Sequence, residues 1–164
     1  MSGKRCKQCL ALLAAGALML ALLSGCATEK DSGGDPAELS SFEAEVIRLV
    51  NEERAEYGLP ALTTTDALTA AAAKRAEEIA ADYGHDRPDG SSCFTVLPEF
   101  GIRYETAGEN IAAGQKTPAQ VVRAWMNSEG HRNNILNPDF TQIGVGYAHT
   151  NHGYRHFWAQ TFIG

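Results

Sequence analysis

The sequence has no hydrophobic run long enough to cross a membrane as a helix. Its longest uncharged apolar stretch, from Leu10 to Leu23, has 14 residues. That is about 21 Å of helix, against ~30 Å for the hydrocarbon core of a bilayer. Lys4, Arg5 and Lys7 precede it. A short apolar run behind a basic segment is typical of a signal peptide, so we expect an exported chain.

The apolar stretch ends in Leu23-Ser24-Gly25-Cys26, which resembles the lipobox of bacterial lipoproteins. The resemblance implies a lipoprotein signal peptide over 1–25, cleavage before Cys26, and a diacylglycerol on the Cys26 thiol. An ordinary secretory signal and an uncleaved anchor are the alternatives. Small polar residues and glycines over 26–40 predict a flexible tether. The expected product is an extracytoplasmic, membrane-anchored protein of a bacterial envelope, with one folded domain over 41–164.

Cysteine is scarce in that domain. Cys6 and Cys9 belong to the signal peptide and Cys26 is the lipidation site, which leaves only Cys93. A disulfide within the domain is therefore excluded, and a hydrophobic core must hold the fold. About 125 residues are enough for one core and too few for two. We expect a monomer.

Positive charge is also scarce. From Cys26 onward the chain has 11 Lys and Arg against 20 Asp and Glu, a net charge of about −9. Such a domain repels phosphate backbones, so we expect no nucleic-acid partner. Anionic headgroups repel it as well, so the acyl chains on Cys26 must supply the affinity for the membrane.

Helical periodicity occurs in three segments. Ser40 and Glu43 fit a capping box at the start of the first, and Thr117 followed by Pro118 is typical of the start of the third. Gly58 lies where the first helix stops. The apolar spacing predicts helices over about 40–57 and 65–82, and a third that begins at 117.

The last segment of the chain alternates between large and small residues. Ile143, Val145 and Tyr147 share one face of a predicted strand, with glycine and alanine on the other. A turn at 151–153 and a second strand over 154–162 complete a β-hairpin. Helices that precede and interrupt locally paired strands favour an α+β fold with an antiparallel sheet.

Several polar clusters each have an ordinary explanation when taken singly. These explanations are a histidine that caps a helix or forms hydrogen bonds in the core, an asparagine in a Gly-Glu-Asn turn, and surface ion pairs of Arg87 and Arg132. Together the clusters resemble the CAP superfamily of cysteine-rich secretory, antigen 5 and pathogenesis-related proteins, in its bacterial SCP-like extracellular branch. The resemblance covers about 42–164. The matching motifs are Val50-Asn51-x-x-Arg54, 85–90, 108–112, 125–136, 143–147 and 158–162.

The resemblance implies a three-layer α-β-α sandwich around a central antiparallel sheet, with a cleft. By motif, the first histidine of the cleft is His85, its first glutamate is Glu109 and its second histidine is His131. The second glutamate of animal and plant members falls at Ser128, with Glu129 next to it and about 100° away on a helix. The implied cleft residues are His85, Glu109, Asn110, Ser128, Glu129 and His131.

Two imidazoles and a carboxylate suit Zn²⁺ or another divalent cation, with His85 and His131 as the metal ligands. A structural role competes, in which Glu109 accepts hydrogen bonds from amides and ties the layers together. Cys93 is either a thiolate nucleophile near His85 or a small buried hydrophobic residue.

The chain lacks the His-Glu-x-x-His and Gly-x-Ser-x-Gly motifs of common hydrolases. This lack, with the resemblance, favours a non-catalytic binding module that presents its cleft to a lipid, glycan, peptide or envelope protein. A metal-dependent hydrolase or peptidase that uses His85 and His131 as ligands and Glu109 as general base is the alternative. A purely structural envelope protein is a third hypothesis.

Overall fold

The structure is a computed structural model and describes residues 41–164. The predicted signal peptide over 1–25, the tether over 26–40, the lipidated Cys26 and the capping residue Ser40 lie outside the described residues. Within 41–164, no helix is both long and apolar enough to cross a membrane.

The helices begin and end close to the predicted positions. Thr65 Oγ1 accepts from the Leu68 amide and Thr117 Oγ1 from the Gln120 amide, so both are N-caps. In order, the elements are α1 Ser41–Glu56, α2 Asp66–Ala81, a 3₁₀ turn Cys93–Thr95, α3 Val96–Glu99, β1 Ala107–Ala113, α4 Pro118–Met126, α5 Glu129–Ile135, β2 Gln142–His149 and β3 His156–Ile163.

The described strands form one antiparallel sheet in the order β1-β3-β2. The predicted hairpin of β2 and β3 is present, with Ile143 opposite Phe162. The expected Gly-Glu-Asn turn is wrong, because Glu109 and Asn110 lie in β1 and pair with Thr161 and Gln160 of β3. β1 is buried along most of its length, so it lacks the alternation that indicates a half-exposed strand.

Helices cover both faces of the sheet, which confirms the α-β-α sandwich. On one face, α1 and α4 enclose the larger core, in which Trp125, Trp158 and Phe162 are fully or almost fully buried. On the other face, α2 packs on β2 and β3, with Ala76 and Ile79 against Ala159.

Arginine and asparagine side chains of α1 fix the loops around the larger core. Arg54 is 1% exposed and donates to the carbonyl oxygens of Pro60, Ile135 and Asn137 at 2.8–2.9 Å. Asn51 exchanges hydrogen bonds with the Leu62 backbone. The Val50-Asn51-x-x-Arg54 motif therefore joins the segments that follow α1 and α5 to one helix.

Small residues let α2 lie directly on the sheet. Gly144 and Gly146 of β2 face this helix, and a Cβ added at either position would overlap a main-chain carbonyl oxygen, of Leu68 or Ala72 respectively. Ala72 itself is fully buried. The alternation of large and small residues in β2 thus sets the distance between the helix and the sheet.

We predict that Gly146→Ala destabilises the protein by about 3 kcal/mol, because backbone rather than a flexible side chain occupies the space. Gly130→Ala is the matched control, since nothing lies within 4 Å of its added Cβ and alanine is the better helix former. Urea unfolding followed by circular dichroism measures both. Equal midpoints for the two variants would contradict the close contact.

Candidate functional site

A buried ion pair lies at the centre of the site. Arg75, on α2, has no exposed side-chain surface. Its Nε donates to Glu109 Oε2 at 2.8 Å and its Nη2 to Oε1 at 3.3 Å, while Nη1 donates to Glu78 Oε2 at 2.7 Å. The Glu109 side chain, on β1, is only 3% exposed. Because an unpaired charge in such a place is strongly unfavourable, the pair ties α2 to β1.

The same two residues position His85. Its Nδ1 lies 2.9 Å from Glu109 Oε1, and Arg75 Nη2 donates to the carbonyl oxygens of Gly84 and His85 at 3.1 and 3.3 Å. The His85 side chain is nevertheless 57% exposed. The imidazole is therefore held at its backbone and at one ring nitrogen, and is accessible from outside.

A second arginine holds the loop that carries His85. Arg87 Nη2 donates to Glu78 Oε1 at 2.6 Å, and its Nη1 binds Thr95 and Glu99. The Arg87 side chain is only 8% exposed, so the expectation that its ion pair lies at the surface is wrong. Glu78 bridges Arg75 and Arg87, which makes this loop part of the same buried network.

The network sets the ionisation of the site. Burial alone would raise the pKa of Glu109, but hydrogen bonds and charges from His85 and Arg75 outweigh it, and the pKa is lowered. The hydrogen bond to Glu109 raises the pKa of His85 despite partial burial. Ionised Glu109 adds to the free energy of unfolding at pH values above the usual carboxyl pKa, and this contribution is lost as pH falls through the lowered pKa. Charged His85 adds to it at pH values below the usual imidazole pKa, and this contribution is lost as pH rises through the raised pKa of His85.

Asn110 lies on the opposite face of β1 and fixes α5. Its Nδ2 donates to the His131 carbonyl oxygen and to Gln160 Oε1, both at 3.0 Å. Its Oδ1 accepts from Asn134 Nδ2 at 2.8 Å, and Asn134 also donates to the Glu109 carbonyl oxygen. Asn110 thus has a structural role under the cleft, with partners 21 or more residues away.

His131 is close to the His85–Glu109 pair but is not bonded to it. Burial, and then the charge of His85, lower the pKa of His131. Its side chain lines a separate hollow of about 230 Å³, together with Trp125 and Ser128. Ser128 is the N-cap residue between α4 and α5, so the expectation that it shares a helix with Glu129 is wrong. Glu129 is exposed in the first turn of α5 and lines neither this hollow nor the cleft beside His85.

The cleft beside His85 has a volume of about 430 Å³. Cys93 is in its wall and is 7% exposed. Burial and the nearby Glu109 charge raise the pKa of this thiol to about 11, so it is protonated at neutral pH and is not a thiolate nucleophile. The residues around the cleft are His85, Asp86, Ser92, Cys93, Phe94, Ala107, Gly108, Glu109 and Asn134.

The donor set does not fit a His-Glu-His metal centre. Across the described residues, no group of three or more His, Cys, Asp or Glu side chains is arranged to hold an ion. Glu109 already binds Arg75 through both oxygens, and that guanidinium repels a second cation. A zinc or other divalent site on His85 and His131 stays a prediction, without Glu109 as a ligand.

Arg75 was missed in the sequence, although one signal was present. The residue lies four positions after Ala71 and four before Ile79, both fully buried, and therefore on the apolar side of α2. A charged residue on that stripe needs a buried partner. A local pattern does not predict that this partner is Glu109, because Glu109 lies 34 residues away in the sequence.

The sheet between two helical layers and the polar cleft beside β1 define an α-β-α sandwich of the SCP type. The sequence pattern of the CAP (cysteine-rich secretory protein) family matches residues 47–162. The chain belongs to this family.

Two proteins of Bacillus subtilis strain 168 are relatives. The uncharacterized protein YkwD is 47% identical over 131 residues, which are 79% of this chain and 49% of YkwD. The uncharacterized membrane protein YlbC is 31% identical over 126 residues, 76% of this chain and 35% of YlbC. The chain therefore spans half or less of the length of these relatives.

Solved structures show the same fold. An extracellular SCP-domain protein of Bacillus anthracis is 28% identical with a TM-score of 0.67, over 77% of this chain and 44% of that protein. An outer surface protein of Borrelia burgdorferi has a TM-score of 0.65 at 22% identity, over 72% and 88% of the two chains. At that identity the second likeness concerns the fold alone.

We predict that Arg75→Met costs about 3–5 kcal/mol of folding stability, because it leaves the Glu109 carboxylate buried without its cation. Arg75→Met combined with Glu109→Gln should recover part of the loss. Denaturant unfolding measures both.

The matched control is Arg48→Met on α1, whose ion pairs with Glu45 and Glu52 are exposed. This change should leave the unfolding midpoint unaltered. A midpoint for Arg75→Met equal to that of Arg48→Met would show that the buried pair does not hold the layers together.

Proposed function

We propose that this chain is an envelope-anchored lipoprotein whose CAP domain binds an extracellular ligand at the His85 cleft without catalysing a reaction. The observation that supports this is the state of Glu109. A general base needs a free lone pair and a pKa near the working pH. The lowered pKa of Glu109 and its bonds to Arg75 and His85 work against both requirements.

The chemistry of the cleft favours a polar ligand, a glycan or a peptide, over an acyl chain. His85, Asp86, Ser92 and Asn134 present hydrogen-bonding groups, while Phe94 offers a limited apolar surface. A site for an acyl chain is lined predominantly by apolar side chains. The exposed imidazole of His85, held by Glu109, is well placed to donate or accept a hydrogen bond from such a ligand.

The anchor in this proposal is the acylated Cys26. The lipobox-like segment before it and the short apolar run support the assignment. The net charge of about −9 after this residue gives the domain no electrostatic attraction to anionic lipids. The covalent lipid would therefore provide the attachment. The B. anthracis protein, described as extracellular, accords with a location outside the cytoplasm.

We predict that Cys26→Ala releases the protein from the membrane fraction of the producing bacterium, because the acyl chains are lost with the thiol. Fractionation and immunoblotting measure the release. Cys93→Ala is the control and should stay with the membrane. Mass spectrometry of the unaltered chain should find diacylglycerol on Cys26, and its absence would contradict the anchor.

The cleft is tested by sedimentation with purified peptidoglycan, which presents both glycan and peptide, and with phospholipid vesicles. The Cys26→Ala chain is used so that acyl chains do not contribute. We predict binding to peptidoglycan that His85→Ala and Asp86→Ala each weaken about tenfold, the size of one or two hydrogen bonds. His152→Ala, an exposed histidine outside the cleft, should have no effect.

Three outcomes would contradict this proposal. Binding to vesicles alone, or binding unaffected by the cleft variants, would exclude a polar ligand at His85. Metal-dependent cleavage of peptidoglycan or peptides that is lost in both Glu109→Gln and His131→Ala would instead establish the hydrolase that the sequence left open.

A further inference from the structure

Three of the five histidines in the sequence belong to the terminal hairpin and its turn. His149 and His156 are direct partners across β2 and β3. Their ring centroids are 5.0 Å apart, with an angle of 63° between the rings. His152 lies in the exposed turn between the strands. None of the three lines the cleft at His85.

The spacing of the two imidazoles suits a shared metal ion. An ion about 2.1 Å from one nitrogen of each ring lies about 3.2 Å from each ring centre, so two rings at a tetrahedral angle have centroids about 5.2 Å apart. The observed 5.0 Å between His149 and His156 is close to this value. Cross-strand partners also leave the sheet on the same face, so the distance is set by the ladder.

Tyr147 orients one of the two rings. Its hydroxyl oxygen is 2.7 Å from Nδ1 of His156. When Nδ1–H donates to that oxygen, Nε2 keeps its lone pair for a metal, which is the usual arrangement around metal-bound histidines. The Tyr147 ring is fixed in turn between Phe42 and Trp158, at centroid distances of 5.3 and 4.5 Å. His156 is thus positioned before any ion arrives.

The donor atoms select the class of ion. Mg²⁺ and Ca²⁺ are held by oxygen ligands, commonly carboxylates, whereas imidazole nitrogens suit Cu²⁺, Ni²⁺ and Zn²⁺. Two imidazole donors therefore favour these ions over the hard ones, while the charges of Arg155 and Lys116, which act on His156, weaken the binding of any cation alike.

We propose that His149 and His156 form a two-imidazole site for a late first-row divalent ion, Cu²⁺, Ni²⁺ or Zn²⁺, with Tyr147 as the residue that positions His156. The site is distinct from the cleft at His85. Two protein ligands leave coordination positions for water or for a ligand from outside the chain. The expected order of affinity places Cu²⁺ first.

Binding at this site depends on neutral imidazoles. Affinity should fall as pH drops below about 6, because protons then compete for the nitrogens.

The experiment uses the full chain without a histidine tag and with His85→Ala and His131→Ala, so that the cleft imidazoles do not contribute. Zn²⁺ is titrated by calorimetry and Cu²⁺ by electron paramagnetic resonance. We expect His149→Gln and His156→Gln each to weaken binding at least tenfold. Tyr147→Phe, which keeps the ring packing, should weaken it about tenfold. His152→Gln is the control and should bind as the parent does.

Unchanged affinity in His149→Gln and His156→Gln would overturn the proposal. A second measurement needs no substitution in the chain. In the unaltered protein, less than one equivalent of Zn²⁺ should shift the imidazole proton resonances of His149 and His156. Shifts confined to His85 and His131 would place the ion in the cleft and would equally overturn the hairpin site.

Discussion

The charged guanidinium of Arg75 is buried from solvent, and the arrangement of the site depends on the groups that pair with this charge. Two carboxylates and two main-chain carbonyls surround the guanidinium. Glu109 is held by it on β1, and His85 is held both through Glu109 and through its own backbone. A buried pair of this kind is not efficient at raising stability, because desolvation offsets much of the attraction. Removing either partner, however, would leave a buried charge unpaired, so the pair holds together α2, β1 and the loop between α2 and the 3₁₀ turn.

The ion pair in turn requires α2 to lie close to the sheet. Gly144 and Gly146 remove the side chains that would keep the helix away, and Ala72 does the same on the helix. With larger residues there, Arg75 would stand farther from Glu109, and water would enter between them. The small residues of β2 therefore belong to the functional site, although they touch none of its polar groups. This connects the packing of the fold with the ionisation of the cleft.

Local patterns in the sequence predicted the long helices, the Thr117 cap and the terminal hairpin, because each depends on residues a few positions apart. The strand β1 was not predicted in this way, since its partner β3 lies about 50 residues later and burial removes its alternation. For the cleft, the motif resemblance named His85 and Glu109, whose side chains lie 2.9 Å apart, and their role there stays a prediction. The contribution of Arg75 and the bridging by Glu78 arise only when distant segments meet, so no local pattern contained them. Ser128 was expected on a helix because neither proline nor glycine lies between α4 and α5 to indicate the break.

Buried arginines also explain how a domain with a single cysteine in its described part holds its loops. Arg54 binds carbonyl oxygens that follow α1 and α5. Arg75 binds the carbonyl oxygens of Gly84 and His85, and Arg87 binds one glutamate on α2 and one on α3. A guanidinium has five donors in a rigid plane, so one side chain fixes several chain segments at once. Unlike a disulfide, these links do not depend on the redox state of the surroundings. The links of Arg75 and Arg87 depend instead on ionised glutamates. The lowered pKa values of Glu78, Glu99 and Glu109 keep these carboxylates ionised to a lower pH than ordinary glutamates. A carboxylate that serves in this way is poorly suited to exchange protons with a substrate, which supports the proposal that the cleft binds a ligand without catalysis.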